Sequence, residues 1–186
     1  MRQISSRRNR EGPGKGRKPG ASVRLLLWAA CLGALVAAAA PPPDPPAPDF
    51  ELGALDGATV RLSELRGKTV VLHFWATWCP HCLSEMPVLD EAASDLQTRG
   101  VEILTVNLGE PRKKVDRYVR EHALRVKVLL DGRGKVAEAY RVVGLPATIL
   151  IDPAGRIIRQ IEMGSLTKSE LEKLPSLLEA RKSGAK

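Results

Sequence analysis

Aromatic residues are scarce, with three Trp, two Tyr and two Phe in 186 residues. The chain therefore lacks the repeated stacking platforms on which single-stranded nucleic acids are held. Cysteine and histidine are scarce too, three of each. No second Cys pair and no His pair at ligand spacing accompanies them, which argues against a zinc site. Leu83, not His, follows Cys82, so the sequence for covalent haem attachment is absent. There is no nucleotide- or flavin-binding motif and no internal repeat.

The formal charge of +8 is also less than it looks. Residues 1 to 24 hold eight bases (Arg2, Arg7, Arg8, Arg10, Lys15, Arg17, Lys18 and Arg24) against Glu11, and everything beyond Arg24 is close to neutral at +1. The folded part shows no basic stripe along its sequence, and nucleic acid is not expected as a partner.

Behind the basic segment, Leu25 to Ala40 is an unbroken apolar run that extends to Ala21 if Arg24 snorkels. Such a length just spans a bilayer, and the positive flank predicts that the N-terminus stays in the cytoplasm while the remainder crosses. We read residues 1–20 as a basic cytoplasmic region and 21–40 as a signal anchor. The small residues Ala37 to Ala40 also admit cleavage as a signal peptide. Arg7-Arg8 is a weak twin-arginine pattern, and Cys31 is an inert thiol inside the apolar run rather than a lipid acceptor. Residues 41–48, PPPDPPAP within the range, favour an extended conformation and read as a stiff spacer.

The folded domain, 49–182, is organised around Val70 to Pro87, VVLHFWATWCPHCLSEMP. Thr69 to Trp75 is short, β-branched and aromatic, as a strand buried on both faces should be, whereas Leu83, Met86, Leu89 and Leu96 recur at helical spacing. Cys79 and Cys82 thus sit where a strand turns into a helix. There the unpaired backbone N–H groups and the positive end of the helix dipole favour a thiolate, the nucleophilic form of cysteine.

The rest of the domain alternates strands and helices. Phe50 to Leu52 and Thr59 to Leu62 flank an Asp56-Gly57 turn, with Ser63 as N-cap of a single helical turn. A helix from Pro80 to Arg99 with Pro87 inside it stops at Gly100. Val101 to Asn107 is a second buried strand, and Pro111 to His122 an amphipathic helix whose inner stripe is Val115, Tyr118 and Val119. Val126 to Leu130 and Lys135 to Arg141 give a strand and a short helix. Ala147 to Ile151 and Arg156 to Glu162 form a hairpin, and Thr167 caps a last helix. This pattern predicts an α/β three-layer sandwich with a mixed central sheet.

Taken together, PDFEL, Gly67-Lys68, VVLHFWATWCPHCLSEMP and the distant VVGLPATILIDPAGRI resemble the membrane-anchored thiol:disulfide oxidoreductases of the TlpA/ResA type, within the thioredoxin superfamily. The resemblance covers residues 48 to 180 and rests on the Cys-x-x-Cys in its Phe-Trp-Ala-x-Trp context, Pro87, and Gly-Leu-Pro-Ala-Thr. It implies a thioredoxin fold with an N-terminal β-hairpin extension. It also implies that Cys79 is the exposed attacking thiol, that Cys82 is the partly buried resolving thiol, and that the two close a redox-active disulfide. No other cofactor is expected. Spacing independently favours those roles, because the first thiol lies nearer the dipole and solvent and the second a turn inside.

Further residues follow from the same resemblance. Pro146 matches the superfamily's cis-proline, with Leu145 offering its backbone to substrate; an ordinary trans proline opening an edge strand is the alternative. Trp78 shields the disulfide and contacts substrate. Glu85 matches an active-site glutamate of ResA-like proteins, or is a favourable acid in a helix's first turns. His73 falls where thioredoxins bury an aspartate beneath the resolving cysteine, or is a satisfied core residue. Pro80-His81 departs from the Glu-Pro or Pro-Pro of TlpA/ResA-like reductases and is the dipeptide of DsbA-type oxidases; His81 would stabilise the Cys79 thiolate.

The expected function is thus an extracytoplasmic, membrane-tethered reductase of protein disulfides, for example in cytochrome c maturation. It would draw electrons from a membrane-embedded thiol donor and act as a monomer held at a bacterial inner membrane, with its domain in the periplasm. A DsbA-like oxidase or isomerase is the alternative, and a copper-binding module a further one. A thiol peroxidase also begins Pro-Asp-Phe, but Ala76 stands where its chemistry expects Thr.

Overall fold

The computed structural model describes residues 44–163 and 167–184, the latter with side chains to residue 176. Two short strands, β1 (Glu51–Gly53) and β2 (Thr59–Arg61), pair antiparallel across the Asp56-Gly57 turn, where Gly57 takes a φ of +89° that a side chain would resist. A 3-10 turn, Leu62–Leu65, follows with no side-chain cap. The expectation that Ser63 caps it is therefore corrected. The Ser63 N–H instead donates to Asp49 Oδ1 at 2.9 Å, so an acid distant in sequence fills the role expected of a local hydroxyl.

The remaining elements are β3 (Thr69–Trp75), α1 (Pro80–Thr98), β4 (Val101–Leu108), α2 (Arg112–Glu121), β5 (Lys127–Asp131), α3 (Lys135–Ala139), β6 (Ala147–Ile151), β7 (Ile157–Glu162) and α4 (Lys168–Gly184). The sheet runs β5-β4-β3-β6-β7, with β3, β4 and β5 parallel and β6 and β7 antiparallel. This is the three-layer α/β sandwich with a mixed sheet and an N-terminal hairpin that the pattern of elements predicts. It is a thioredoxin fold.

β3 is buried along its whole length, as its apolar, β-branched composition requires. Val71 and Trp75 face a core completed by Met86 and Leu89 of α1, Val115 of α2, and Leu171 and Leu174 of α4. Val70, Leu72 and Phe74 face the opposite core, against Phe50, Val136 and Tyr140. Alternation along a strand thus puts His73 on the α1 side, with Val71 and Trp75. In α1 the buried positions Cys82, Glu85, Met86, Leu89, Ala92 and Leu96 keep the 3.6-residue period, and Gly100 ends the run with φ +76°. Thr167 and Glu170 cap α4 reciprocally: the Glu170 N–H donates to Thr167 Oγ1 at 3.2 Å, and the Thr167 N–H to Glu170 Oε2 at 3.1 Å.

Asp44 to Pro48, read from sequence as spacer, is docked on the domain. Ala47 is buried, its N–H donates to the Gly155 carbonyl at 2.9 Å, the Ile157 N–H donates to the Pro45 carbonyl at 2.8 Å, and Tyr140 Oη donates to the Pro48 carbonyl at 2.7 Å. The prolines leave their carbonyls free, and Ile157 of the β6–β7 hairpin and the Tyr140 hydroxyl supply donors to them. The basic region 1–20, the apolar segment 21–40 read as anchor or cleaved signal, and residues 41–43 lie outside the described residues. Among the described residues, no helix is long and apolar enough to cross a membrane.

One consequence of topology positions everything functional. Parallel β3, β4 and β5 end together along one edge of the sheet, and antiparallel β6 begins there, with Ala147 opposite Phe74. The loops after β3, β4 and β5 and the segment before β6 therefore converge.

Candidate active site

At that edge β3 gives way to Ala76-Thr77-Trp78 and then to α1, with the Cys79 N–H donating to the Ala76 carbonyl at 3.1 Å. Cys79 is the N-cap of α1 and Pro80 its first residue, where a missing N–H costs nothing. Cys79 and Cys82 are joined by a disulfide with their Cα atoms 5.3 Å apart. The Cys82 N–H donates to Cys79 Sγ at 3.3 Å. The same donor, with the helix dipole, would stabilise a Cys79 thiolate once the bond is reduced. Cys79 is 5% exposed and Cys82 fully buried, so the first thiol is the accessible one of the pair, though far more covered than the sequence implies. Around it Trp78 stands 64% exposed, and Pro80 and His81 are exposed as well.

Beneath the disulfide lies a buried polar group. His73 Nδ1 lies 3.0 Å from Thr148 Oγ1 and 3.7 Å from Glu85 Oε2, and all three residues are buried. Burial drives the His73 pKa down to about 4, so the imidazole is neutral at neutral pH and its contact with Glu85 is not an ion pair there. His73 Nε2 has no hydrogen-bond partner among the described residues. A neutral imidazole facing the α1 core that holds Cys82 is chemically able to take up a proton. Thr148, across the sheet on β6, is a partner that only strand pairing reveals; His73 and Thr148 are directly opposite in the ladder.

A second cluster fixes the loop before the cysteines. Glu110, in the turn between β4 and α2, accepts from the Thr77 N–H at 2.6 Å and from Thr77 Oγ1 at 2.7 Å. It also accepts from Asn107 Nδ2 at 2.8 Å and pairs with Lys114 Nζ at 2.7 Å. Burial pushes its carboxyl up, but the bonds from Lys114, Asn107 and Thr77 outweigh this and hold the pKa at about 2. Glu110 is thus an ionised anchor joining the active-site loop to the β4–α2 turn. Sequence reasoning missed it. The available signal was an acid just before Pro111 at a helix start, which is too common to single out.

The Leu145–Pro146 peptide is cis, as the resemblance implies. The Pro146 carbonyl accepts from the Met163 N–H at 2.8 Å, which ties the end of β7 to the segment entering β6. Leu145 is half-buried, while Val143 is 82% and Met163 74% exposed. Trp75 is core and packs on Tyr118 with ring centroids 5.4 Å apart, and His122 is at the surface, stacked on Tyr118 at 4.1 Å. The fold therefore brings Trp78, Cys79, Pro80, His81, Cys82, Leu145 and Pro146 to one end, with His73 and Glu85 underneath. Among the described residues no group of three or more His, Cys, Asp or Glu is arranged to hold a metal.

Known proteins share this arrangement. The AhpC/TSA family model matches residues 43–160. The thiol-disulfide oxidoreductase ResA of Geobacillus kaustophilus is 43% identical over 127 residues, 68% of this chain and 72% of that protein. ResA of Bacillus subtilis is 36% identical over 132 residues, 71% of this chain and 73% of that one. Among solved structures, the pneumococcal exposed lipoprotein thioredoxin from Streptococcus pneumoniae superposes with a TM-score of 0.64 at 31% identity, covering 70% of this chain and all of that one. The chain belongs to the AhpC/TSA family and, within it, to the ResA-like thiol-disulfide oxidoreductases of thioredoxin fold.

Proposed function

We propose that this oxidoreductase is a reductase of protein disulfides that works through Cys79-Pro-His-Cys82, held at a bacterial cytoplasmic membrane by residues 21–40 with its domain on the outer side. The single observation that carries this is Cys79 at the start of α1, 5% exposed and bonded to a fully buried partner three residues on. Cys79 thiolate attacks one sulfur of a substrate disulfide, forming a mixed disulfide and releasing the other sulfur as a thiolate. Cys82 then loses its proton and attacks Cys79 Sγ, which closes the Cys79–Cys82 bond and releases the second substrate thiolate. Two electrons pass to the substrate; the Cys82 proton goes to one of its thiolates and the other takes its proton from solvent. Buried His73 and Glu85, on the side of the sheet that packs against α1, would tune the loss of the Cys82 proton through their polarity. Trp78, Pro146 and the backbone of Leu145 would hold the substrate strand against the disulfide.

Electrons would come from the thiols of a membrane-embedded donor, with no further cofactor, and one substrate consistent with the ResA relatives is apocytochrome c before haem attachment. Exposed His81 beside Cys79 favours a second reading, an oxidase, because a histidine near the helix start can stabilise the thiolate and so the reduced form. The potential of the Cys79–Cys82 couple decides between them. A value near about −270 mV supports the reductase and one near about −120 mV the oxidase. A Cys82→Ser variant should accumulate mixed disulfides with its substrates, and finding none would overturn both.

A further inference from the structure

The end of the sheet that carries the disulfide is unlike the other in how it treats charge. Lys113 opens α2, Arg133 and Lys135 flank the start of α3, and Arg141 lies in the segment leading into Pro146; all four are exposed. Among the described residues none of them has a carboxylate within ion-pair distance, whereas at the opposite end Lys68 faces Glu102, Arg99 faces Asp95, Arg125 faces Asp90 and Lys127 faces Asp56. The acids near the disulfide are otherwise engaged, and the neighbouring Lys114 has a carboxylate partner, Glu110. Glu110 holds Thr77, and Asp131 Oδ2 accepts from the Val136 and Ala137 N–H groups at 3.0 and 2.9 Å. Glu162, half-buried at the end of β7, takes a bond from Gln160, which leaves Glu138 on α3 as the exposed acid nearby.

The same end gathers the exposed large apolar side chains of the described residues, which are Trp78, Val143 and Met163. An apolar spot beside the reactive bond, bordered by unpaired cations, is a surface with a definite electrostatic preference. The geometry points to a substrate class: resting on the disulfide-exchange reading above, we infer that this end docks polypeptides whose disulfide has apolar neighbours and acidic flanks. The apolar residues would cover Trp78, Val143 and Met163, while Lys113, Arg133, Lys135 and Arg141 attract the flanks and raise the encounter rate. An anionic lipid surface would satisfy the cations but not place a disulfide against Cys79, so an acidic polypeptide is the better fit.

The test uses the reduced full chain and three synthetic peptides that share one disulfide-containing apolar centre and differ only in acidic, uncharged or basic flanks. At low ionic strength kcat/KM for the acidic peptide should exceed that for the basic one by about tenfold, and the gap should close near molar salt, where the screening length falls to about 3 Å. Equal rates at low salt, or a preference for the basic peptide, would overturn the inference while leaving disulfide exchange intact. No exchange with any peptide would overturn both. Combining Lys113→Glu, Arg133→Glu and Lys135→Glu should collapse the preference. If that variant keeps the full preference, yet loses binding to vesicles of phosphatidylglycerol and phosphatidylcholine relative to wild type, the cations serve lipid and the inference fails.

Discussion

The two ends of the central sheet are made by the same strands and yet spend their carboxylates differently. Where β3, β4 and β5 begin, acids meet bases, at the surface in Arg99–Asp95 and with a buried acid in Lys68–Glu102. Where those strands finish, the acids turn inward onto backbone N–H groups, Glu110 onto Thr77 and Asp131 onto the first turn of α3. In the first pattern the exposed pairs contribute about 0–1 kcal/mol each, and Asp90, which also accepts from the Val126 N–H at 2.6 Å, is an acid of that end that fixes backbone. The second immobilises the loops that hold the cysteines, and it leaves the neighbouring cations free to meet a partner. A redox loop needs a fixed frame around a bond that must open and close, and buried carboxylates accepting several N–H groups supply one.

The comparison can be broken at several strengths. The largest effect is expected at the disulfide itself: Cys79→Ser should bring exchange with a peptide disulfide down to the uncatalysed rate, whereas Cys82→Ser should stall it as a trapped mixed disulfide, separable on non-reducing gels. Next comes the frame. Glu110→Ala leaves the Thr77 N–H, Thr77 Oγ1 and Asn107 Nδ2 without their acceptor and should lower unfolding stability by about 2–4 kcal/mol in urea titrations. An unchanged midpoint would mean that the loop is held by something else.

Burial of His73 predicts an acid dependence of similar size. The unfolded chain binds a proton at this residue below about pH 6.5, while the native imidazole resists it to about pH 4. Stability is therefore full above pH 6.5 and falls by roughly 3 kcal/mol as the pH drops from 6.5 to 4, below which this residue adds no further loss. A His73→Gln variant should flatten that part of the pH–stability curve. Glu110, held low, acts lower down: its contribution is present above pH 4.5 and fades towards about pH 2. The smallest effect is expected at the far end. Arg99→Met, which breaks the exposed Arg99–Asp95 pair, should cost about 0.5 kcal/mol and leave the salt dependence of peptide exchange as it is in wild type.

What was legible beforehand was what neighbours in sequence decide. Thr69–Trp75 matches its expected bounds because a short run rich in β-branched and aromatic residues has one reading in a buried sheet. The period of α1 and the turns at Asp56-Gly57 and Asp152-Pro-Ala-Gly155 were equally local. Ser63 misled because capping propensity was judged without Asp49, a partner fourteen residues away. Glu110 and Thr148 were invisible for the same reason, since each matters only through a residue brought to it from another strand or loop. Asp44 to Pro48 reads as spacer from sequence, yet it docks on the domain through bonds to residues distant in sequence, Gly155, Ile157 and Tyr140.

The sequence by itself determined the order of strands and helices, the pair of cysteines at a helix start and the family pattern around them, because each depends on periodicity or spacing within a few residues. Only the tertiary structure decided which acids are buried, which histidine is kept neutral and which cations are left unpaired around the disulfide. Lys113, Arg133, Lys135 and Arg141 come from separate stretches of a nearly neutral domain and form no stripe in the chain. They share one end because parallel strands finish at the same edge, and Coulomb energy depends on distance in space, not on separation along the backbone.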